Sequence, residues 1–373
     1  MLFWPLSEHR FYANGQLYSE IPPNFTATWD RSVQNLSQNL DFVRFHSGDS
    51  PEAHNLIFNS WQEQEITSKF KTALEISKIP VELLEQTLPE HILFPILDAR
   101  LLAMRDILQT WPRSPDYAFL AALHSLFDAI ATHPIRFAKT ALKGPLSTAA
   151  KKYISVAMAR EPYIKYSKTR GMSGRLRLEH DSFPIHSICK ECREYLVPNN
   201  DVFIELDYNA MDLRCIYGLC GVEQEKEDPY ERLNRTIFGG SVERSEIKRR
   251  VYAYAYNDDS HDEVLGTLFS KPALFTLIRS GGDEFPAGKE IAYKVQKTAS
   301  DVMLKAKVAI AEKLKNNKSY VAFSIHDSVV LDFAKEDKDL IRELIMVFSQ
   351  TQFGQFVVNA KIGKNYGSMK RLI

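Results

Sequence analysis

The stretch that decides the fold reads VFIELDY at Val202–Tyr208, an alternating apolar run that closes on an aspartate and a tyrosine. Such alternation is typical of a β-strand, and a helical pattern, Met211–Leu219, follows it directly. A second run of strand type, YVAFSIHDSVVL at residues 320–331, also presents an aspartate, Asp327. Residues 1–50 show no clear element, whereas helical spacing begins at residue 65 and recurs over 93–108 and 117–130. Residues 210–319 between the two strand-like runs are mainly helical in pattern and include a long helix predicted over Gln296–Leu314. The sequence therefore predicts two strands that each present a carboxylate, separated by a helical insertion.

The two aspartates, Asp207 and Asp327, are far apart in the chain, so spacing alone does not show whether they meet. If their strands are neighbours in one sheet, the carboxylates can bind a pair of Mg²⁺ ions. Such a pair stabilises both the attacking and the leaving oxygen of an in-line phosphoryl transfer. The pattern thus raises the hypothesis of a phosphoryl-transfer enzyme.

A basic helix is predicted over Arg244–Tyr256. Arg244, Lys248, Tyr252 and Tyr256 recur every four residues and therefore share one face. Cations followed by aromatic rings suit a nucleotide, whose phosphates meet the cations and whose base or sugar meets the rings. The alternative, which the stripe alone favours, is a helix whose tyrosines pack in the core while its charges face water.

The overall charge conceals a strong segregation. The 47 basic and 47 acidic side chains cancel, but residues 135–180 hold 11 basic and 2 acidic ones, while residues 1–134 hold 9 basic and 16 acidic ones. A basic segment of this kind suits a polyanion, although a solvated basic face is the alternative. The hydrophobic content of 45% and the 16 Gly and 17 Pro exclude a disordered or collagen-like chain.

No run approaches the roughly 18 apolar residues of a membrane span, and residues 1–10 show no signal- or transit-peptide pattern. We therefore expect an intracellular, cytoplasmic protein without a membrane partner. The cysteines are too few for a disulfide framework, and the five-residue step of the last two is poor for chelation, so the pattern does not favour zinc. They are Cys189, Cys192, Cys215 and Cys220.

Three motifs in order resemble those of family A DNA polymerases, the polymerase I-like enzymes. DYNAMDLR at residues 207–214 resembles motif A, usually DYSQIELR; Arg244–Tyr256 resembles motif B; and IHDS at residues 325–328 resembles motif C, usually with His-Asp-Glu. Shorter stretches extend the similarity over about residues 165–370: GRL at 174–176, REYLVP at 193–198, and QKTASD at 296–301, which is similar to the family's QGTAAD.

The resemblance implies an α+β right-hand polymerase fold with an antiparallel-sheet palm, helical fingers and thumb, and a small helical N-terminal domain. The expected divisions are an acidic, non-catalytic domain over residues 1–134, a basic thumb-like segment over 135–180, and palm and fingers over 181–373. The implied activity is template-directed extension of a primer 3′ end with dNTPs by two-metal phosphoryl transfer. Primer-template DNA and dNTPs are then the partners, and two Mg²⁺ ions per active site are the cofactor.

We expect a short, phage-type form of the family, acting in a bacterial or phage-infected cell. Residues 1–134 lack the Asp-x-Glu strand and further aspartates of a proofreading exonuclease. A separate exonuclease or processivity subunit is therefore a further expected partner.

Site residues carry over from the family by motif. Asp207 and Asp327 are expected to bind the metals together with the backbone carbonyl of Tyr208, and Lys248 to supply charge or a proton to the leaving pyrophosphate. The residues expected around the nucleotide are Arg244, Lys248, Tyr252, Tyr256, Asp212 and Tyr208. The expected DNA contacts are Arg175, Gln296 and His326 near the primer terminus, and Lys151, Lys152, Lys168 and Arg170 along the basic segment.

The chain also departs from the family pattern. Asp212 stands where Glu is usual in the floor under the sugar C2′, so we expect looser rejection of ribonucleotides. Ser328 replaces the third carboxylate, which leaves two aspartates for both metals, and Asp228-Pro229-Tyr230 falls where many relatives have a triphosphate-binding His. The alternatives are a relaxed-sugar or RNA-synthesising polymerase of the same fold, and a catalytically inactive DNA-binding replication subunit.

Overall fold

The computed structural model divides into two units, Met1–Ser125 and Leu126–Ile373. The residues that it describes are 2–7, 10–19, 51–58, 61–78, 84–110, 117–138, 146–167, 173–257, 260–280, 285–286, 288–325 and 327–372. Helices and antiparallel strands are both present, so the mixed α and β class predicted from the sequence is confirmed.

The first unit combines a small sheet with helices. Its elements are β1 (Trp4–Ser7), β2 (Arg10–Ala13), β3 (Gln16–Tyr18), α1 (Pro51–Phe58), α2 (Trp61–Ile76), α3 (Leu84–Thr87), α4 (Glu90–Thr110) and α5 (Tyr117–Ala131), within which the unit boundary falls. Tyr12, Leu97 and Met104 are fully buried in one apolar cluster. The helical spacing noted from residue 65, over 93–108 and over 117–130 is confirmed by α2, α4 and α5.

The three strands of this unit correct the sequence analysis, which identified no element in residues 1–50. They form an antiparallel sheet in the order β1-β2-β3. Asn14 and Gly15, which connect β2 to β3, both have positive φ, as a type I′ hairpin turn requires. The Asn-Gly pair in the sequence indicates such a turn. The hairpin was not predicted because its strands are too short to show a clear apolar period.

The second unit contains the remaining elements. They are β4 (Arg136–Phe137), α6 (Thr148–Met158), β5 (Leu196–Val197), β6 (Val202–Tyr208), α7 (Met211–Leu219), α8 (Pro229–Thr236), α9 (Arg244–Tyr256), α10 (Glu263–Gly266), α11 (Lys271–Ser280), α12 (Glu290–Leu314), β7 (Tyr320–Ile325), β8 (Ser328–Phe333), α13 (Ile341–Ser349), β9 (Gln350–Thr351), β10 (Gly354–Gln355), β11 (Val358–Gly363) and β12 (Lys370–Arg371). The helix predicted to begin at Gln296 begins earlier, at Glu290.

A five-stranded sheet in the order β12-β11-β6-β8-β7 forms the centre of this unit. β6 lies in the middle and pairs antiparallel with β11 and β8, so the strand predicted from VFIELDY is confirmed. The run at residues 320–331 is a hairpin and not one strand, because β7 and β8 pair antiparallel from Tyr320↔Asp332 to Ile325↔Ser328. Asp327 therefore lies in the connection between two strands.

The chain turns from β6 directly into α7. Ala210 has φ 54° and ψ 41°, a left-handed conformation that breaks the strand immediately before the helix. Arg214 on α7 is fully buried. Its guanidinium donates to the carbonyl oxygens of Asn209, Glu225 and Glu227 at 2.7–2.8 Å. These bonds fix the residues that follow Asp207 and the loop that leads to α8.

Among the helices of the described ranges, none is long and apolar enough to cross a membrane.

Candidate active site

The sheet brings the two predicted aspartates together. Asp207 on β6 pairs in register with Ser328, the residue after Asp327. The pKa of Asp207 is raised to about 6, first by burial and then by the negative charges of Glu205 and Asp327, with Lys361 acting in the opposite direction. A carboxylate whose ionisation is opposed by its neighbours is a place where a cation is stabilising.

Glu205 lies on the same face of β6 as Asp207, two residues earlier. Its carboxylate accepts hydrogen bonds from the Lys361 Nζ at 2.8 Å and the Tyr366 hydroxyl at 3.0 Å. These partners neutralise and hold Glu205, which leaves Asp207 and Asp327 as the carboxylates available for a divalent cation. Within the described residues, no group of three or more His, Cys, Asp or Glu side chains is arranged to hold a metal.

The aromatic end of the α9 stripe contacts α7. The rings of Tyr252 and Tyr256 stack with centroids 5.3 Å apart, and the Lys248 Nζ lies 5.4 Å from the Tyr252 ring. The Tyr256 hydroxyl donates to Asp212 Oδ2 at 3.4 Å. The stripe therefore faces Asp212 on α7, and its tyrosines belong both to the packing and to the site.

Asp212 lies between the two groups of site residues. Its pKa is raised by burial and by the charge of Asp327, and the positive charges of Arg175 and Lys248 and a hydrogen bond from Tyr252 act in the opposite direction. Its Oδ1 is buried and has no hydrogen-bond partner among the described residues. Asp212 therefore interacts both with Asp327 and with the tyrosines of the α9 stripe. Its Oδ1 remains available to accept a hydrogen bond.

Asp228 holds the cationic end of the stripe. Arg244 donates to Asp228 Oδ2 through Nε at 2.8 Å and lies within 2.7 Å of it through Nη2; its guanidinium is also 4.9 Å from the Tyr230 ring. Burial would raise the pKa of Asp228, but the hydrogen bonds from Asn209 and Arg244 outweigh it and hold this pKa below its usual range. A triphosphate that binds Arg244 must therefore compete with Asp228.

A cavity of about 200 Å³ opens beside Asp327. The residues that line it include Arg175, Gln296, Ser300 and Lys307. The loop that carries Arg175 lies close to α12, since the Ser300 hydroxyl donates to the Gly174 carbonyl at 2.5 Å. Gly174 has φ +70°, a conformation that favours glycine.

Lys307 was not identified from the sequence. Its side chain is 3% exposed, and burial lowers its pKa to about 7 against the opposing charge of Asp327. Gln296, Ser300 and Lys307 lie at positions that share one face of a helix. A lysine on the face that carries Gln296 was the feature of the sequence that could have identified Lys307 as a site residue.

The structure thus brings together most of the predicted site residues: Asp207, Asp212, Asp327, Arg175, Lys248, Tyr252, Tyr256 and Gln296, with Arg244 held by Asp228. The side chain of Tyr208 points elsewhere, because it is buried, stacks on Phe348 and donates to the Phe348 carbonyl at 2.5 Å. Lys151 and Lys152 are exposed on α6. The predicted contacts Lys168, Arg170 and His326 lie outside the described residues.

Comparison with known proteins identifies the fold. No family model and no curated protein matches the chain. Among solved structures, the chain is similar to the POL domain of Pol1 from M. smegmatis in complex with DNA primer-template and dNTP, with a TM-score of 0.51 and 13% sequence identity. The similarity covers 78% of this chain and 76% of that one. The chain therefore has a fold that resembles a polymerase domain.

Proposed function

We propose that the chain is a template-directed DNA polymerase that extends a primer 3′ end with dNTPs. The observation that carries this proposal is the convergence, in a fold of polymerase type, of Asp207 on β6 and Asp327 in the β7–β8 connection with the Arg-Lys-Tyr-Tyr stripe of α9. The primer 3′ hydroxyl attacks the α-phosphorus of the dNTP, a new phosphodiester bond forms, and the bond to the leaving pyrophosphate breaks. In this assignment the five-stranded sheet is the palm, α8–α12 belong to the fingers, and the basic segment of residues 135–180 is the thumb.

Asp207 and Asp327 fit two Mg²⁺ ions in their chemistry. Carboxylate oxygens are hard ligands, and Mg²⁺ in phosphoryl-transfer sites is usually bound by one or two carboxylates together with substrate phosphates. The raised pKa of Asp207 marks a surplus of negative charge that a cation relieves. When bound, the metals activate the attacking oxygen and stabilise the leaving one. The family-based assignment of the Tyr208 carbonyl as a further ligand is retained in the proposal.

The stripe of α9 binds the incoming nucleotide. Arg244 leaves Asp228 for the triphosphate, to which its guanidinium can donate two parallel hydrogen bonds. Lys248 lies near enough to Asp212 for its positive charge to oppose the rise in the pKa of that carboxyl, and it supplies positive charge or a proton to the pyrophosphate as it leaves. Tyr252 packs on the sugar and base, and Tyr256 with Asp212 forms the floor under the sugar.

One observation favours a relaxed-sugar variant of the same activity. The side chain of Asp212 is one methylene shorter than the Glu of the family, and its Oδ1 has no hydrogen-bond partner in the described part of the chain. A free acceptor beneath the sugar can receive a hydrogen bond from a 2′-hydroxyl, which is both a donor and an acceptor. A polymerase with this floor incorporates ribonucleotides at a measurable rate.

Primer extension with Mg²⁺ and the four dNTPs tests the proposal. The wild type is expected to extend the primer, and Asp327→Asn is expected to bind the primer-template but not extend it. Asp339→Asn is the matched control, because Asp339 is exposed and outside the site. A wild type that binds DNA without extending it would identify an inactive replication subunit, and preferential extension with NTPs would identify an RNA-synthesising enzyme.

A further inference from the structure

The amine of Lys307 is buried, and no residue in the described ranges pairs with it. Its side chain lies on α12 and is 3% exposed, and it forms no hydrogen bond or ion pair with any residue in the described ranges. The carboxylate of Asp327 attracts it but lies outside ion-pair distance. Buried ammonium groups in native proteins are ordinarily paired, because an unpaired charge in the interior is costly.

Packing alone does not account for a lysine at this position. Ala299, Met303 and Leu304, which line the same cavity from α12, are apolar and buried. A methionine in place of Lys307 would fill a similar volume without the cost of removing a charge from water. The charge of Lys307, and not its length, is therefore the property that requires an explanation.

The cavity in front of Lys307 suits an oxyanion. Its volume of about 200 Å³ is many times the roughly 10–15 Å³ that one water requires on the same measure. Besides Lys307, the lining offers the Arg175 guanidinium and the Gln296 amide, whereas the Ser300 hydroxyl already donates to the Gly174 carbonyl. Hydrogen bonds from cations to phosphate oxygens are among the strongest that proteins form.

Two phosphates of the proposed reaction could supply this anion, the backbone of the primer and the triphosphate of the dNTP. Arg244 and Lys248 of α9 do not line the cavity, and Arg244 is instead held by Asp228. The cavity is formed by α12, the loop of Arg175 and the hairpin of Asp327, and the family resemblance implies that Arg175 and Gln296 contact the primer terminus. We propose that Lys307 binds a phosphodiester group of the primer strand beside Asp327, an inference that rests on the proposed function.

The test compares the full-length wild type with Lys307→Met in equilibrium binding to a labelled primer-template, without nucleotide, over a series of salt concentrations. Loss of one phosphate contact is expected to weaken binding at low salt by about ten-fold. It should also make the slope of log K against log salt shallower by about 0.9. The KM for dNTP should not change.

Two further variants separate charge from packing. Lys307→Arg retains the charge and should restore the salt slope. Lys305→Met removes a lysine from the same helix, but Lys305 is exposed and donates to Gln352 Oε1 at 3.2 Å, away from the cavity, so its slope should equal that of the wild type. In the absence of DNA, Lys307→Met should melt at a higher temperature than the wild type, because the variant no longer buries an amine without a partner. A lysine that stabilises the fold would instead give a lower melting temperature on replacement.

An unchanged salt slope in Lys307→Met would overturn the inference. So would a raised KM for dNTP with unchanged primer binding, because the ammonium would then serve the triphosphate. These outcomes are distinct from failure of the proposed function, in which the wild type itself would not extend a primer.

Discussion

Replacing Asp207 by asparagine should stabilise the metal-free protein. The folded chain places this carboxylate beside Glu205 and Asp327 and buries it, which raises its pKa to about 6 from an ordinary value of 3.8. A raised pKa means that the folded state binds the proton more tightly than the unfolded state. Ionisation of Asp207 therefore destabilises the fold, and asparagine, which has the same shape without the charge, removes that penalty.

The size of the effect follows from the pKa difference. The two values differ by 2.2 units, and at 1.36 kcal/mol per unit the penalty is about 3 kcal/mol as an upper limit. Below about pH 4 both states hold the proton and the penalty is absent. It grows as the pH rises from about 4 to about 6 and is constant above that range. For a unit of this size, 3 kcal/mol corresponds to a rise in Tm of about 6 °C.

Thermal melts of the wild type and Asp207→Asn in EDTA, from pH 4 to pH 8, measure the effect. We expect the variant to melt higher at pH 8 and the two curves to converge near pH 4, while the exposed control Asp339→Asn follows the wild type throughout. Adding Mg²⁺ should stabilise the wild type more than the variant. A variant that is less stable at pH 8 would refute the reasoning, and a gain that persists at pH 4 would assign the effect to packing.

Three further perturbations test other contacts of the site. Asp212→Glu should lower the ratio of ribonucleotide to deoxyribonucleotide incorporation, and equal ratios in gel-based extension assays would contradict the role of Asp212 in sugar selection. Asp228→Asn retains an N-cap side chain for α8 but weakens the ion pair with Arg244. The KM for dNTP should therefore fall a few-fold in steady-state kinetics, whereas a rise in KM would mean that Asp228 positions Arg244 for the triphosphate. Arg214→Met leaves three partly buried carbonyls without this donor and should cost about 3 kcal/mol in urea unfolding. A loss below about 1 kcal/mol would show that water replaces the guanidinium.

The sequence alone predicted the strands and helices whose side chains recur with a clear two-residue or four-residue period. The strand Val202–Tyr208 and the helix Arg244–Tyr256 have the bounds that their patterns predict, because alternation and four-residue spacing directly reflect which side chains are buried. The meeting of Asp207 with Asp327 was conditional on strand order, which no local pattern encodes. The structure shows that β6 pairs antiparallel with β8, and this pairing places Asp207 beside Asp327.

The features that sequence reasoning missed depend on tertiary contacts. β7 ends at Ile325 and β8 begins at Ser328, but the His-Asp pair between them in the sequence contains no glycine, so the Asn-Gly or Asp-Gly signal that usually marks a hairpin is missing. Glu205 and Lys307 are ordinary charged residues in isolation. Their significance arises only when Lys361 and Tyr366 neutralise the first and a cavity opens in front of the second.

Two buried cations of the same unit show how the site differs from the rest of the interior. Arg214 is fully buried and donates to three backbone carbonyls, so its charge is satisfied within the fold and its removal should only destabilise. Lys307 is almost as buried but faces a cavity and has no ion-pair partner in the part of the chain that the structure describes, so its removal should stabilise the free protein and weaken its complex. Opposite signs for these two substitutions in the same melting experiment would show that the charge of Arg214 supports the fold and that of Lys307 does not, and weaker primer binding by Lys307→Met would then assign the Lys307 charge to a ligand.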